Sequence, residues 1–93
     1  MKVFHTDRTG HLYVYQDKDE TLDYEIDWTS WLDGDTIDSV ANSASGVSVT
    51  SSSNTTTANT IWVQGTSGEV TTTITTASGR IKQKTIKFRE RVN

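Results

Sequence analysis

Residues 22–35 read LDYEIDWTSWLDGD, and their pattern decides the fold. From Leu22 to Trp28 the side chains alternate without a break. Leu22, Tyr24, Ile26 and Trp28 fall on one side, and Asp23, Glu25 and Asp27 on the other. This is the period of a β-strand with one face buried and one face wet. The alternation stops at Thr29-Ser30-Trp31-Leu32, and Asp33-Gly34-Asp35 follows. Gly34 supplies the backbone freedom for a turn, so the strand leaves its sheet here. Trp28 then belongs to the core, while Trp31 and Leu32 plug the end of the domain.

The same reading extends in both directions. Helical periodicity is nearly absent, whereas short strand-like runs recur with turn residues between them. Val3-Phe4-His5 and Leu12-Tyr13-Val14-Tyr15 flank Asp7-Arg8-Thr9-Gly10, which predicts a hairpin. After residue 35 come strands around 36–40, 46–49, 60–63, 70–76 and 80–88, separated by turns such as Gly65-Thr66-Ser67-Gly68 and Ala77-Ser78-Gly79. Residues 51–57, SSSNTTT, are expected to form a mobile loop or a sheet edge. In the last strand Ile81 is apolar at an odd position and Ile86 and Phe88 at even ones, which predicts a β-bulge between Arg80 and Ile86. The expected fold is all-β: an immunoglobulin-like β-sandwich of about seven strands over residues 17–93, with residues 1–16 forming an extra N-terminal hairpin or a docking arm. A small barrel is the alternative.

Composition narrows the function. The chain has 93 residues and no cysteine, so disulfides, thiolate metal sites and cysteine catalysis are excluded. The start of the chain has no signal-peptide core, and no apolar run approaches the ~20 residues that span a bilayer, so the expectation is a soluble chain made in a cytosol, bacterial or viral, with no membrane partner. Charge is divided along the chain. Arg80, Lys82, Lys84, Lys87, Arg89 and Arg91 against Glu90 give residues 80–93 a charge of +5, which leaves −8 for residues 1–79 of the net −3. That asymmetry favours an oriented contact between copies or with a partner, as against a solvated strand crossing near the acidic one.

Candidate chemistry is sparse. His5 and His11 flank the first turn, where a pair across a hairpin can bind a metal; as lone imidazoles they read as surface residues. Asp17, Asp19 and Glu20 lack the sixth-position glycine and twelfth-position glutamate of a calcium loop, and read as an acidic turn. Nucleophile elbows and phosphate loops are missing, so no catalytic residue, cofactor or metal is assigned. Three tryptophans raise carbohydrate binding. Trp62, between Ile61 and Val63, is the one whose exposure the sequence leaves open. The net negative charge argues against nucleic acid as a partner.

Leu22-Asp23-Tyr24-Glu25-Ile26-Asp27-Trp28-Thr29-Ser30-Trp31-Leu32 followed by Gly34-Asp35-Thr36-Ile37 resembles the pattern LDYxxDWxxWLxxGDTI of small tailed-bacteriophage proteins with an immunoglobulin-like fold. These are described as fibre–tail adaptor or neck-associated structural proteins. Gly46-Val47-Ser48-Val49, Ile61-Trp62-Val63-Gln64-Gly65-Thr66-Ser67-Gly68 and Thr73-Ile74-Thr75-Thr76-Ala77-Ser78-Gly79-Arg80 resemble further segments in the same order, over residues 17 to 92. The chain departs from the pattern in having Lys18-Asp19-Glu20 where the family often carries proline, and in a longer, more aromatic segment 1–16.

The resemblance implies a non-enzymatic virion structural protein at the neck or tail, linking the portal–adaptor assembly to tail fibres, with neighbouring copies in a ring. A capsid decoration protein and a carbohydrate- or host-surface-binding module are the rival readings. The residues expected to face partners are Lys82, Lys84, Lys87, Arg89 and Arg91 on the basic strand, together with Trp62.

Overall fold

The computed structural model describes residues 2–5, 12–17 and 19–89. These form eight strands and one short helix: β1 Lys2–His5, β2 Leu12–Tyr15, β3 Thr21–Asp27, α1 Thr29–Leu32, β4 Ile37–Ser45, β5 Ser48–Asn54, β6 Ala58–Gln64, β7 Gly68–Thr76 and β8 Ile81–Arg89. Two four-stranded sheets pack face to face, one in the order β1-β3-β6-β5 (sheet A) and one in the order β2-β8-β7-β4 (sheet B). With β1 and β2 sharing the place of a first strand, this is the ABED and CFG order of a constant-type immunoglobulin domain. The expected β-sandwich is therefore present.

The alternation in β3 does what its sequence requires. Tyr24, Ile26 and Trp28 are buried against Ile61 and Val63 of β6 in the same sheet and against Val70, Ile74, Ile86 and Phe88 of sheet B. The antiparallel register sets Tyr24 opposite Ile61 and Leu22 opposite Val63, so the apolar sides of both strands face inward together.

Among the described residues, β1 and β2 do not pair with each other as the expected N-terminal hairpin. β1 pairs parallel with β3 in sheet A, and β2 pairs parallel with β8 in sheet B. Burial explains the correction. Split between the sheets, both strands reach the core, through Phe4 and Val14. A hairpin would have paired the two segments with each other instead of lining both edges on that flank of the sandwich. The turn expected at Asp7-Arg8-Thr9-Gly10 lies outside the described residues.

One further expectation changes. No bulge interrupts β8, whose register with β7 runs evenly from Gly68↔Phe88 to Thr75↔Ile81. Ile81 instead stays on the outer face, 66% exposed. Lys82, on the inner side, is also exposed, so this end of β8 runs past the covered core and a bulge would win Ile81 no burial. The register shifts fall in β4, between Ile37 and Ser39, and in β5, between Val49 and Ser51. Of the two alternatives for residues 51–57, the sheet edge holds for 51–54, which belong to the edge strand Ser48–Asn54, and 55–57 connect it to β6.

A polar pin crosses the interior beneath these strands. Gln16, fully buried, donates from Nε2 to the carbonyl oxygens of Val63 (2.8 Å) and Glu20 (2.9 Å). Its Oε1 accepts from the hydroxyl of Tyr24 at 2.6 Å. Its backbone N–H donates to the carbonyl of Arg89 at 3.0 Å, so one residue ties β8 to β3 and β6. The bonds to Val63 and Tyr24 are buried, and an unmatched buried group costs about 1–3 kcal/mol. Gln16→Leu removes at once the hydrogen bonds that Gln16 makes to the Tyr24 hydroxyl and to the Val63 carbonyl. Urea unfolding of that variant should show a loss of about 2–4 kcal/mol; an unchanged midpoint would refute the role given to Gln16.

Candidate functional site

The sequence singled out a basic strand and a tryptophan, and the structure places them on opposite sides of the sandwich. On the outer face of sheet A, Asp23, Glu25 and Asp27 of β3 lie opposite Trp62, Thr60 and Ala58 of β6, with Val3 of β1 beside Glu25. Trp62 is 42% exposed because Ile61 and Val63 both turn into the core. Of the two possibilities left open for Trp62, burial of its neighbours selects the outward one. The face is thus acidic with one large aromatic near its middle.

On the outer face of sheet B, Lys87 and Arg89 of β8 lie opposite Tyr13 and Tyr15 of β2. Tyr15 is 60% exposed. The Arg89 guanidinium sits 4.9 Å from the centre of the Tyr13 ring, a cation–π contact that holds the charge at the surface. Glu69 of β7 lies opposite Lys87 on the other side. Farther along, this face turns to hydroxyls, with Thr71 and Thr85 sharing a 3.0 Å hydrogen bond.

The basic strand does not present one row of charge. Lys82 and Lys84 share the inner side of β8 with Ile86 and Phe88, whereas Lys87 and Arg89 point outward. Lys82 is exposed and Lys84 half-buried. Arg91 and His11 lie outside the described residues, as does the His5 side chain. Among the described residues no cluster of three or more histidines and carboxylates is placed to hold a metal ion. The acidic turn spends its charge on its own backbone: Glu20 Oε1 accepts the Asp17 N–H at 2.7 Å, and the Glu20 N–H donates to the Asp17 carbonyl at 3.0 Å.

A second polar network forms at one end of the sandwich, and the sequence reading assigned its members no contact with one another. Asp27 Oδ1 accepts the Thr29 N–H (3.0 Å) and hydroxyl (2.6 Å), which turns the chain out of β3 into α1. Asp33, in the left-handed conformation, and Gly34 then bring Asp35 under the β7–β8 turn. Asp35 accepts from the Ser78 hydroxyl, from the Thr36 N–H (2.9 Å) and from Arg80 Nε (3.2 Å). Arg80 also donates to the Leu32 carbonyl at 2.6 Å and lies over the Trp31 ring, 4.5 Å from its centre. Trp31 in turn meets Trp28 edge to face at 6.2 Å. The expected plug at this end is present, with Leu32 buried and Trp31 half-buried, and Arg80 clamps it. The pairing of WL-x-GD with SGR across 43 residues (Asp35 to Ser78) had no local signal in the sequence, because neither half is periodic.

A domain with two layers, opposite charge on its two faces and a side-chain clamp at one end defines a non-covalent building block. The chain matches the family model described as Podophage GP4 fiber-tail adaptor protein gp77 over residues 16–89. It belongs to that family of podophage fibre–tail adaptors, structural proteins of the phage tail. No curated protein matches the chain.

The Ser78 hydroxyl, backed by the Thr36 N–H and the Thr76 and Arg80 side chains, holds the Asp35 carboxyl well below the ordinary carboxylate range, against the opposing effect of desolvation. A folded-state value below the unfolded one means that this contribution is present above the unfolded value, near pH ~4, and is lost as pH falls below it. Thermal unfolding across pH 2–7 should therefore show the wild type losing its advantage over Asp35→Asn below about pH 4. Parallel curves for the two proteins would contradict the clamp.

Proposed function

We propose that the protein joins the portal–adaptor assembly at the phage neck to the tail fibres, as a non-enzymatic component made in the host cytoplasm and set in several copies around the neck. Family membership supports the adaptor role. The observation that carries the finer reading is the opposition of the two sandwich faces: carboxylates around Trp62 on one, and Lys87 and Arg89 beside Tyr13 and Tyr15 on the other. An adaptor needs two unlike surfaces, and this domain offers them about one sandwich thickness apart. Between neighbouring copies, the acidic face of one complements the basic face of the next. Such a head-to-tail contact is heterologous, and closes into a ring when its rotation divides a full turn. Because Tyr13 and Tyr15 belong to residues 1–16, that segment serves as part of the docking surface.

Exposed tyrosine and arginine suit this role, since both are enriched where interfaces concentrate their energy. Exposure of Trp62 also supports the host-surface reading, in which a sugar stacks on the indole. Quenching of Trp62 fluorescence by a host glycan, absent in Trp62→Phe, would favour that reading over the adaptor one. Gold label on a tagged copy separates the neck from the head, where a decoration protein would sit.

The charge test follows from the split within β8. Lys87→Glu with Arg89→Glu should lower incorporation into particles by about tenfold or more, with the larger loss at low salt, where opposite charges attract at longer range. Lys82→Gln with Lys84→Gln, on the inner side, should cost much less. Quantitative immunoblots of purified particles assembled in a null background measure both; equal effects from the two pairs would overturn the assignment to the outer face.

A further inference from the structure

From Ser39 to Gly68 the chain carries no charged side chain, although 23% of its residues are charged. The fold gathers this run onto one flank. β4 and β5 are the edges of sheets B and A, and they touch each other. Edge strands usually carry a charge, a proline or a bulge that discourages pairing with another chain. β5 has its bulge at Val49–Ser51. In β4 both the bulge and the one charge, Asp38, lie at the start. The seven residues from Ser39 to Ser45 then run in unbroken register with β7, hydrogen-bonded on one side only, with no charge and no proline.

We infer that β4 is a pairing edge and that its occupant is β4 of a second copy of this chain, joined about a two-fold axis. A two-fold sets an antiparallel strand against itself, so every residue meets a partner from the same short list. A strand with charges near the axis would oppose like to like. From Ser39 to Ser45 this strand meets the condition. Centring the axis on Asn42 is the register that pairs all seven residues. Ser39 then faces Ser45 and Ala41 faces Ser43 on the outer side, while Val40 faces Ala44 and Asn42 its own mate on the inner side. All but Val40 and Asn42 are exposed in the single chain, and none is bulky enough to hold the backbones apart. The pairing joins two B sheets into one sheet of eight strands. It uses neither Trp62 nor the Lys87–Arg89 face, so its failure and the failure of the adaptor reading are separate results.

Sedimentation of the purified full-length protein tests the inference. The expected result is a dimer whose dissociation constant rises about tenfold or more in Ala41→Lys with Ser43→Lys, which sets lysine against lysine across the axis, with the β-sheet circular dichroism unchanged. The chain has no cysteine, so Asn42→Cys offers a single thiol. Under mild oxidation it should cross-link to a disulfide dimer much faster than Asp19→Cys, an exposed site away from β4. A wild type that stays monomeric up to about 1 mM overturns the proposal, as does a dimer indifferent to the lysine pair, or equal cross-linking of the two thiols. A monomer whose lysine variant drops out of phage particles overturns it too, and assigns the edge to a strand of another chain.

Discussion

Trp28 stands where three parts of the molecule meet, and each depends on its burial. Its backbone N–H donates to the Thr57 carbonyl (2.9 Å), and its indole N–H donates to Asn59 Oδ1 (2.7 Å). Both bonds tie the end of β3 to the start of β6. Its carbonyl accepts the Leu32 N–H (2.9 Å), which closes the single turn of α1. The ring itself is fully buried and meets Trp31 in a T-shaped contact. A tryptophan in this position brings a large apolar surface into the core and still has its one polar atom matched, which is the condition for burying an indole without penalty.

From that anchor the end of the sandwich is built outward. Trp31 lies against Trp28, Arg80 over Trp31, and Asp35 beside Arg80. The chain thereby fixes the β7–β8 turn relative to the exit of β3, although the two are far apart in sequence. Both faces inherit their alignment from this end, since β7 and β8 carry the basic face and β3 carries the acidic one. The opposite end closes by a different device, the approach of two turns without intervening side chains. A side chain at Gly46, where φ is +78°, would put its Cβ 2.6 Å from the Ser67 carbonyl oxygen.

What results is a small domain with a neutral interior pin, one acidic face, one basic aromatic face and one uncharged flank. Each of these surfaces presents chemistry suited to another macromolecule. The chain belongs to a family of fibre–tail adaptors, which implies contact with other phage structural proteins. Fold alone would not have said so, because sandwiches of this kind host many functions.

The sequence by itself determined the period-two pattern of β3, the burial of Trp28, the turn at Asp33-Gly34-Asp35, the sandwich class and the family motif. Each is local: alternation, turn chemistry and a fixed spacing act within a few residues of one another. It also located the basic strand, but not which of its cations look outward, because that depends on whether a bulge intervenes, and the bulges went to β4 and β5 instead. Only the tertiary structure decided that β1 and β2 divide between the sheets, that Trp62 is exposed, and that Arg80 clamps Trp31 and Asp35. These are contests between distant segments for the same buried surface and the same hydrogen-bond partners. Sequence spacing carries no record of such a contest, since the winner is set by which strand lies across the core from which.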